Sequence, residues 1–88
     1  MEVVFQAHDF PFKGRDIPED ALADALEKAK LGEVTGGGSG RQTSAIDVEV
    51  TDFERGLKLI RRTLKKVGAP ASTEIHRHRP KHEIYRLE

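Results

Sequence analysis

The hydrophobic period changes once between Ala45 and Val67, and this change constrains the fold more than any other feature of the chain. From Ile46 to Val50 apolar side chains alternate with carboxylates, which is typical of a strand with one buried face. From Phe53 onward apolar residues recur every three or four positions, as in an amphipathic helix. A strand therefore leads directly into a helix that needs a sheet or a second helix to cover its apolar side.

The ends of this helix are marked in the sequence. Thr51-Asp-Phe-Glu54 has the spacing of a capping box, with Thr51 as the predicted N-cap. Gly68 and Pro70 predict its end. Its predicted outer face is basic and consists of Lys58, Arg61, Arg62, Lys65 and Lys66.

The first half of the chain repeats the pattern. Glu2 to Ala7 reads as a strand, and a helix is predicted to start at Asp16 and to end with Gly32 at its left-handed C′ position. A short strand then starts at Glu33 and runs into Gly36 to Gly40, which reads as a flexible loop or a weak strand end.

The resulting order, β-α-β-β-α-β, predicts one α+β domain over residues 1–88 with a ferredoxin-like fold. We expect an antiparallel sheet in the order 4-1-3-2, with both helices on one face and the other face open. The stretch from Thr73 to Leu87 is too long for one strand, and Pro80 interrupts it. Either this tail turns back as a hairpin around residues 79–82, or it projects and pairs with another chain.

The composition excludes several classes of protein. None of the 88 residues is Cys, which excludes disulfides, cysteine nucleophiles, iron–sulfur clusters and thiolate zinc sites. The sequence shows no secretory leader and no apolar run of membrane-spanning length, so we expect a cytoplasmic protein that does not contact the membrane.

Charge is unevenly distributed although the net charge is zero. Residues 1–54 carry 12 acidic and 5 basic side chains, for a net charge of −7, whereas residues 55–88 carry 3 acidic and 10 basic ones, for +7. Such asymmetry predicts either a basic binding face or two halves that neutralise each other.

The alternation of the strands places His8, Asp47, His76 and His78 on the open face. Imidazole and carboxylate groups suit Zn²⁺ or Ni²⁺, and His76 and His78 form an i, i+2 pair on one strand face. The same set could act as a general acid and base, or it could be a solvated polar face.

Two further sets of residues could bind a ligand. Gly36, Gly37, Gly38, Ser39 and Arg41 could close over a small molecule, although no helix follows them as a phosphate cradle requires. The basic helix face could contact phosphates. However, Asp47 and Glu49 on the sheet would repel a polyanion, so nucleic acid is not the expected partner. With no activated nucleophile in the sequence, we expect a non-enzymatic protein without a cofactor.

Three stretches resemble small bacterial α/β-plait proteins, some of which resemble toxin-immunity proteins. They are Leu31 to Gly40, Ile46 to Asp52 and Gly56 to Leu64. The resemblance implies a protein that binds and masks a partner, and it carries over no functional residue.

The expected function is therefore protein–protein interaction, most simply self-association into a homodimer through the open sheet face or the last strand. Binding of a small ligand or divalent metal and binding of nucleic acid are the alternatives.

Overall fold

The computed structural model describes residues 1–6, 16–39, 43–78 and 81–87. In these ranges the chain folds in the order β-α-β-β-α-β-β, which confirms the ferredoxin-like α+β prediction and adds a fifth strand. The elements are β1 (Glu2–Gln6), α1 (Asp16–Ala29), β2 (Gly32–Ser39), β3 (Thr43–Val50), α2 (Phe53–Lys66), β4 (Glu74–Arg77) and β5 (Glu83–Arg86). Among the described residues, no helix combines the length and apolar character that crossing a membrane requires.

The five strands form one sheet in the order β2-β3-β1-β4-β5, and every neighbouring pair is antiparallel. The predicted order of the first four strands is correct. The tail turns back, so that Ile75 on β4 pairs with Tyr85 on β5. The hairpin alternative is therefore confirmed, and the projecting alternative is wrong for residues 81–87.

The core lies between one face of the sheet and the two helices. Alternate strand residues point into it, and each helix adds side chains at a spacing of three or four. Complete burial of such a side chain stabilises the fold by about 1.5–3 kcal/mol. The buried apolar residues are Val3, Phe5, Leu22, Leu26, Ile46, Val48, Leu57, Ile60, Leu64, Ile75 and Leu87.

The start of α2 lies one residue later than predicted. Asp52, not Thr51, is the N-cap, because its Oδ1 accepts a hydrogen bond from the Arg55 backbone N–H at 3.1 Å. Thr51 instead donates its backbone N–H and its hydroxyl to the Leu31 carbonyl oxygen at 2.8 and 3.2 Å. This pair of bonds ties the start of α2 to the end of α1.

The two helices end in the same way with different residues. Leu31 N–H bonds to Leu26 O and Ala69 N–H bonds to Leu64 O, the six-residue closure of a Schellman motif. The left-handed position is Gly68 after α2, at φ 87°, as predicted, but Lys30 after α1, at φ 56°. The prediction of Gly32 for this position is wrong, since Gly32 is already the first residue of β2.

The glycine-rich stretch is a strand rather than a loop. Gly36, Gly37, Gly38 and Ser39 pair with Asp47, Ile46, Ala45 and Ser44 of β3, after a register shift at Thr35. A Cβ on Gly37 would lie 2.5 Å from the Ala45 carbonyl oxygen, so the close approach of the two backbones requires glycine there. Of the two alternatives for residues 36–39, the flexible loop is therefore wrong and the strand end is correct.

Candidate functional site

The open face of the sheet carries polar side chains in rows that cross the strands. Asp47, Glu2, His76 and Ile84 are register partners in one row across β3, β1, β4 and β5. Glu33 and Glu49 form a second acidic pair between β2 and β3. The β2–β3 half of the face is thus acidic, and the β4–β5 half holds the histidines.

Three histidines, His76, His78 and His82, form a cluster toward the turn end of the β4–β5 hairpin. His76 Nδ1 lies 3.1 Å from His82 Nε2, and the two ring centroids are 5.2 Å apart. The His78 ring stacks parallel to the His82 ring at 5.4 Å. His82 is the member that the sequence analysis missed, because its place beside His76 depends on the register across the hairpin turn.

Two carboxylates, those of Glu74 and Glu2, contact the histidines of this cluster. Glu74 Oε1 accepts a hydrogen bond from His76 Nε2 at 3.0 Å, while its Oε2 lies 3.4 Å from a guanidinium nitrogen of Arg86. His78 Nε2 lies 3.4 Å from Glu2 Oε1. Glu74 and His76 are only 21% and 17% exposed, so this pair is held more firmly than a surface ion pair.

The four predicted metal ligands are only partly brought together. His76 and His78 lie in the cluster, whereas Asp47 lies two strands away from His76, at about 10 Å, with Glu2 between them. His8 lies outside the described residues. In the described ranges no group of three or more His, Cys, Asp or Glu side chains is arranged to hold a metal ion.

The predicted ligand-closing set is only partly described. Gly36, Gly37 and Gly38 are exposed in β2, at the edge of the sheet, and Arg41 lies outside the described residues. Four cavities among the described residues are lined by residues other than these glycines.

The basic face of α2 lies beside an open groove of about 490 Å³. Its apolar part is Leu57 on α2 and Leu87 after β5. Four of the five predicted basic residues line it, namely Lys58, Arg61, Arg62 and Lys65, together with Glu54. Lys66 is exposed near the end of the helix.

The outer face of α1 has the opposite charge. Asp20, Asp24 and Glu27 are exposed at spacings of four and three, which places them on one side of the helix, opposite the buried Leu22 and Leu26. Ile17, 43% exposed, precedes them on the same side. The two helices are packed against each other, so an acidic and a basic strip lie side by side.

Comparisons with protein-family models, with curated proteins and with solved structures found no match to this chain. The fold class therefore rests on the element order and sheet topology alone. Of the resemblance to α/β-plait proteins, these findings support a small α+β fold with the order β-α-β-β-α-β-β and no family.

Proposed function

We propose that the chain is a protein-interaction module that pairs with a second copy of itself through its two helices. The observation that carries this proposal is the segregation of charge between them. Lys58, Arg62 and Lys65 project from α2 at spacings of four and three, which are the spacings of Asp20, Asp24 and Glu27 on α1.

A two-fold axis makes this arrangement self-complementary. When two helical layers meet face to face about an axis that runs along the helices, α1 of each copy lies over α2 of the other. Each copy then contributes one acidic and one basic strip, and both contacts are attractive. Complementary charge of this kind fixes orientation and speeds association.

The groove supplies an apolar contact for the same pairing. Leu57 and Leu87 form its floor, and Ile17 is a large hydrophobic side chain exposed on the acidic strip that would face it. The molecule measures 31 × 28 × 24 Å. One of its faces is therefore about as large as the ~800 Å² that each partner buries in a standard interface.

The open sheet face is a poorer surface for self-association. Glu33, Asp47 and Glu49 cover its β2–β3 half, and stacking that half on its own copy would place carboxylates against carboxylates. Arg86, a cation on the β5 side of this face, is already paired with Glu74. Self-association through the helices avoids this repulsion between like charges.

A charge-swap experiment tests the proposal by analytical ultracentrifugation. The double variant Lys58→Glu/Arg62→Glu gives the strip of Lys58, Arg62 and Lys65 on α2 a net negative charge. The double variant Asp20→Lys/Glu27→Lys gives the strip of Asp20, Asp24 and Glu27 on α1 a net positive charge. Each variant alone is expected to lose self-association by at least about tenfold in dissociation constant, because like charges then face each other. An equimolar mixture of the two is expected to restore a dimer, since every contact in it is again between opposite charges.

Charge reversal on the sheet provides the matched control. Glu33→Lys/Glu49→Lys changes as many charges as each test variant and is expected to leave self-association unchanged. A dimer that responds to the sheet variant and not to the helix variants would overturn the proposal, as would a wild-type protein that stays monomeric at millimolar concentration. Salt-sensitive binding of the wild type to a duplex DNA probe with no dimer would favour the nucleic-acid alternative instead.

A further inference from the structure

We infer that His76 and His82 together bind a divalent transition-metal ion, for which Zn²⁺ is the probe, on the open face of the β4–β5 hairpin. This site is independent of the helical surface and does not require the proposed dimer. It differs from the sequence-based hypothesis in its ligands, because it uses a cross-hairpin pair instead of His76 with His78.

The separation of the two nitrogens fits a chelate. His76 Nδ1 and His82 Nε2 lie 3.1 Å apart. Two nitrogen ligands of tetrahedral Zn²⁺, each at about 2.0–2.1 Å from the metal, are about 3.4 Å from each other. To admit the ion, the exposed His82 must move by a few tenths of an ångström, lose any hydrogen on Nε2 and turn its ring so that the Nε2 lone pair points at the metal.

Glu74 orients the His76 ring and leaves Nδ1 as its ligating nitrogen. Its carboxylate accepts the Nε2 hydrogen of His76 at 3.0 Å, so in the neutral ring the lone pair is on Nδ1, the atom that faces His82. A carboxylate on the far nitrogen of a ligating imidazole is the usual outer partner at metal sites, where it fixes the tautomer and raises the basicity of the ligand. Arg86 holds the second oxygen of the same carboxylate.

The chemistry of the ligands selects the class of metal. Imidazole nitrogen suits Zn²⁺, Ni²⁺ and Cu²⁺, whereas Ca²⁺ and Mg²⁺ take oxygen ligands. His78 is directed elsewhere, with Nε2 at 3.4 Å from Glu2 Oε1 and its ring stacked on His82. The site therefore has two protein ligands, and water completes the coordination.

Titration of the full chain with ZnCl₂ after removal of metal by chelator tests the inference. Calorimetry is expected to show one saturable equivalent of Zn²⁺. His82→Ala is expected to weaken uptake at least tenfold without unfolding the protein, because its side chain is exposed. Glu74→Gln is expected to weaken it by about 10- to 100-fold while one equivalent still binds, as for other outer partners.

His78→Ala and Asp47→Asn are the matched controls, and both are expected to bind Zn²⁺ like the wild type. A loss of uptake in His78→Ala with none in His82→Ala would overturn the cross-hairpin chelate. Unchanged uptake in all variants would show adventitious binding only, and the absence of saturable uptake below millimolar Zn²⁺ would reduce the 3.1 Å contact to a hydrogen bond between neutral rings.

Discussion

Lys30 is the one described residue other than glycine with a positive φ, at 56°. A side chain in this conformation costs about 1–2 kcal/mol, because Cβ approaches the carbonyl oxygen that follows it. Lys30 accepts the conformation because the chain must turn sharply after α1, so that Leu31 can bond back to Leu26. After α2, glycine occupies the same position.

Replacement of Lys30 by glycine is therefore expected to stabilise the protein. Lys30→Ala removes the ammonium group and keeps the strain, so it is the control that separates charge from conformation. We expect Lys30→Gly to exceed Lys30→Ala by about 1 kcal/mol in the free energy of unfolding, measured by urea denaturation. Equal stability of the two variants would show that the left-handed turn costs nothing here.

Several individual residues could not be assigned from the sequence because their roles depend on neighbours far away in the chain. Thr51 and Asp52 are both residue types that favour the N-cap position. The Thr51 hydroxyl instead donates a hydrogen bond to the Leu31 carbonyl oxygen, and Asp52 accepts the capping hydrogen bond from Arg55. His82 joins His76 only through the hairpin register, which no local pattern fixes. By contrast, the alternation of charged and apolar residues correctly placed Asp47 and Glu49 on the solvent side of β3.

At the scale of the elements, the β4–β5 hairpin is attached to α2 by aromatic and cationic side chains. The ring of Tyr85 lies 5.5 Å from that of Phe53, and its hydroxyl donates to Glu83 Oε1 at 3.0 Å. The Arg77 guanidinium lies 3.8 Å above the Phe53 ring. Arg61 on α2 donates to the Arg86 carbonyl oxygen at 2.8 Å, which ties β5 to the helix.

Tyr85→Ala is expected to loosen this attachment and to lower the free energy of unfolding by about 1–2 kcal/mol, because the half-buried ring loses its contact with Phe53. Ile84→Ala is the matched control on the opposite face of β5, where the side chain is 50% exposed. It is expected to change stability by no more than about 0.5 kcal/mol. Equal losses in both variants would mean that the strand, not the ring contact, carries the stability.

An element could be predicted where the spacing of its apolar residues agreed with capping residues at its ends, as in α2. It could not be predicted where the sequence has no regular apolar spacing. Gly36 to Gly38 have no side chains and therefore no pattern, and they form a strand because β3 offers a continuous ladder to pair with. Pro80 and the excessive length of the tail predicted a break there, and the hairpin was one of the two alternatives that followed from it. Its packing against Phe53 depends on tertiary contacts that lie outside any local pattern.

At the scale of the whole molecule, two ion pairs of the described residues leave the acidic strip of α1 and the basic strip of α2 unconnected. Asp24 pairs with Lys28 and Arg55 with Asp52 within single helical turns, so these contacts do not join the acidic strip of α1 to the basic strip of α2. With zero net charge, repulsion between whole molecules is weak, and two copies can approach until the local pattern of charge decides their orientation.

This arrangement predicts that salt weakens the proposed dimer and leaves the proposed Zn²⁺ uptake nearly unchanged. Charges on the exposed strips are screened at distances beyond about 10 Å at 0.1 M salt and about 3 Å at 1 M. The dissociation constant of the dimer is therefore expected to rise at least about tenfold between 0.05 and 0.5 M NaCl. Uptake of Zn²⁺ depends on short coordination bonds to neutral imidazoles, and over the same range it is expected to change less than about threefold.

Sedimentation and calorimetry on one preparation test both expectations. A dimer that tightens with salt would point to an apolar interface, and Zn²⁺ uptake that falls in parallel with the dimer would place the metal between two copies rather than within one hairpin.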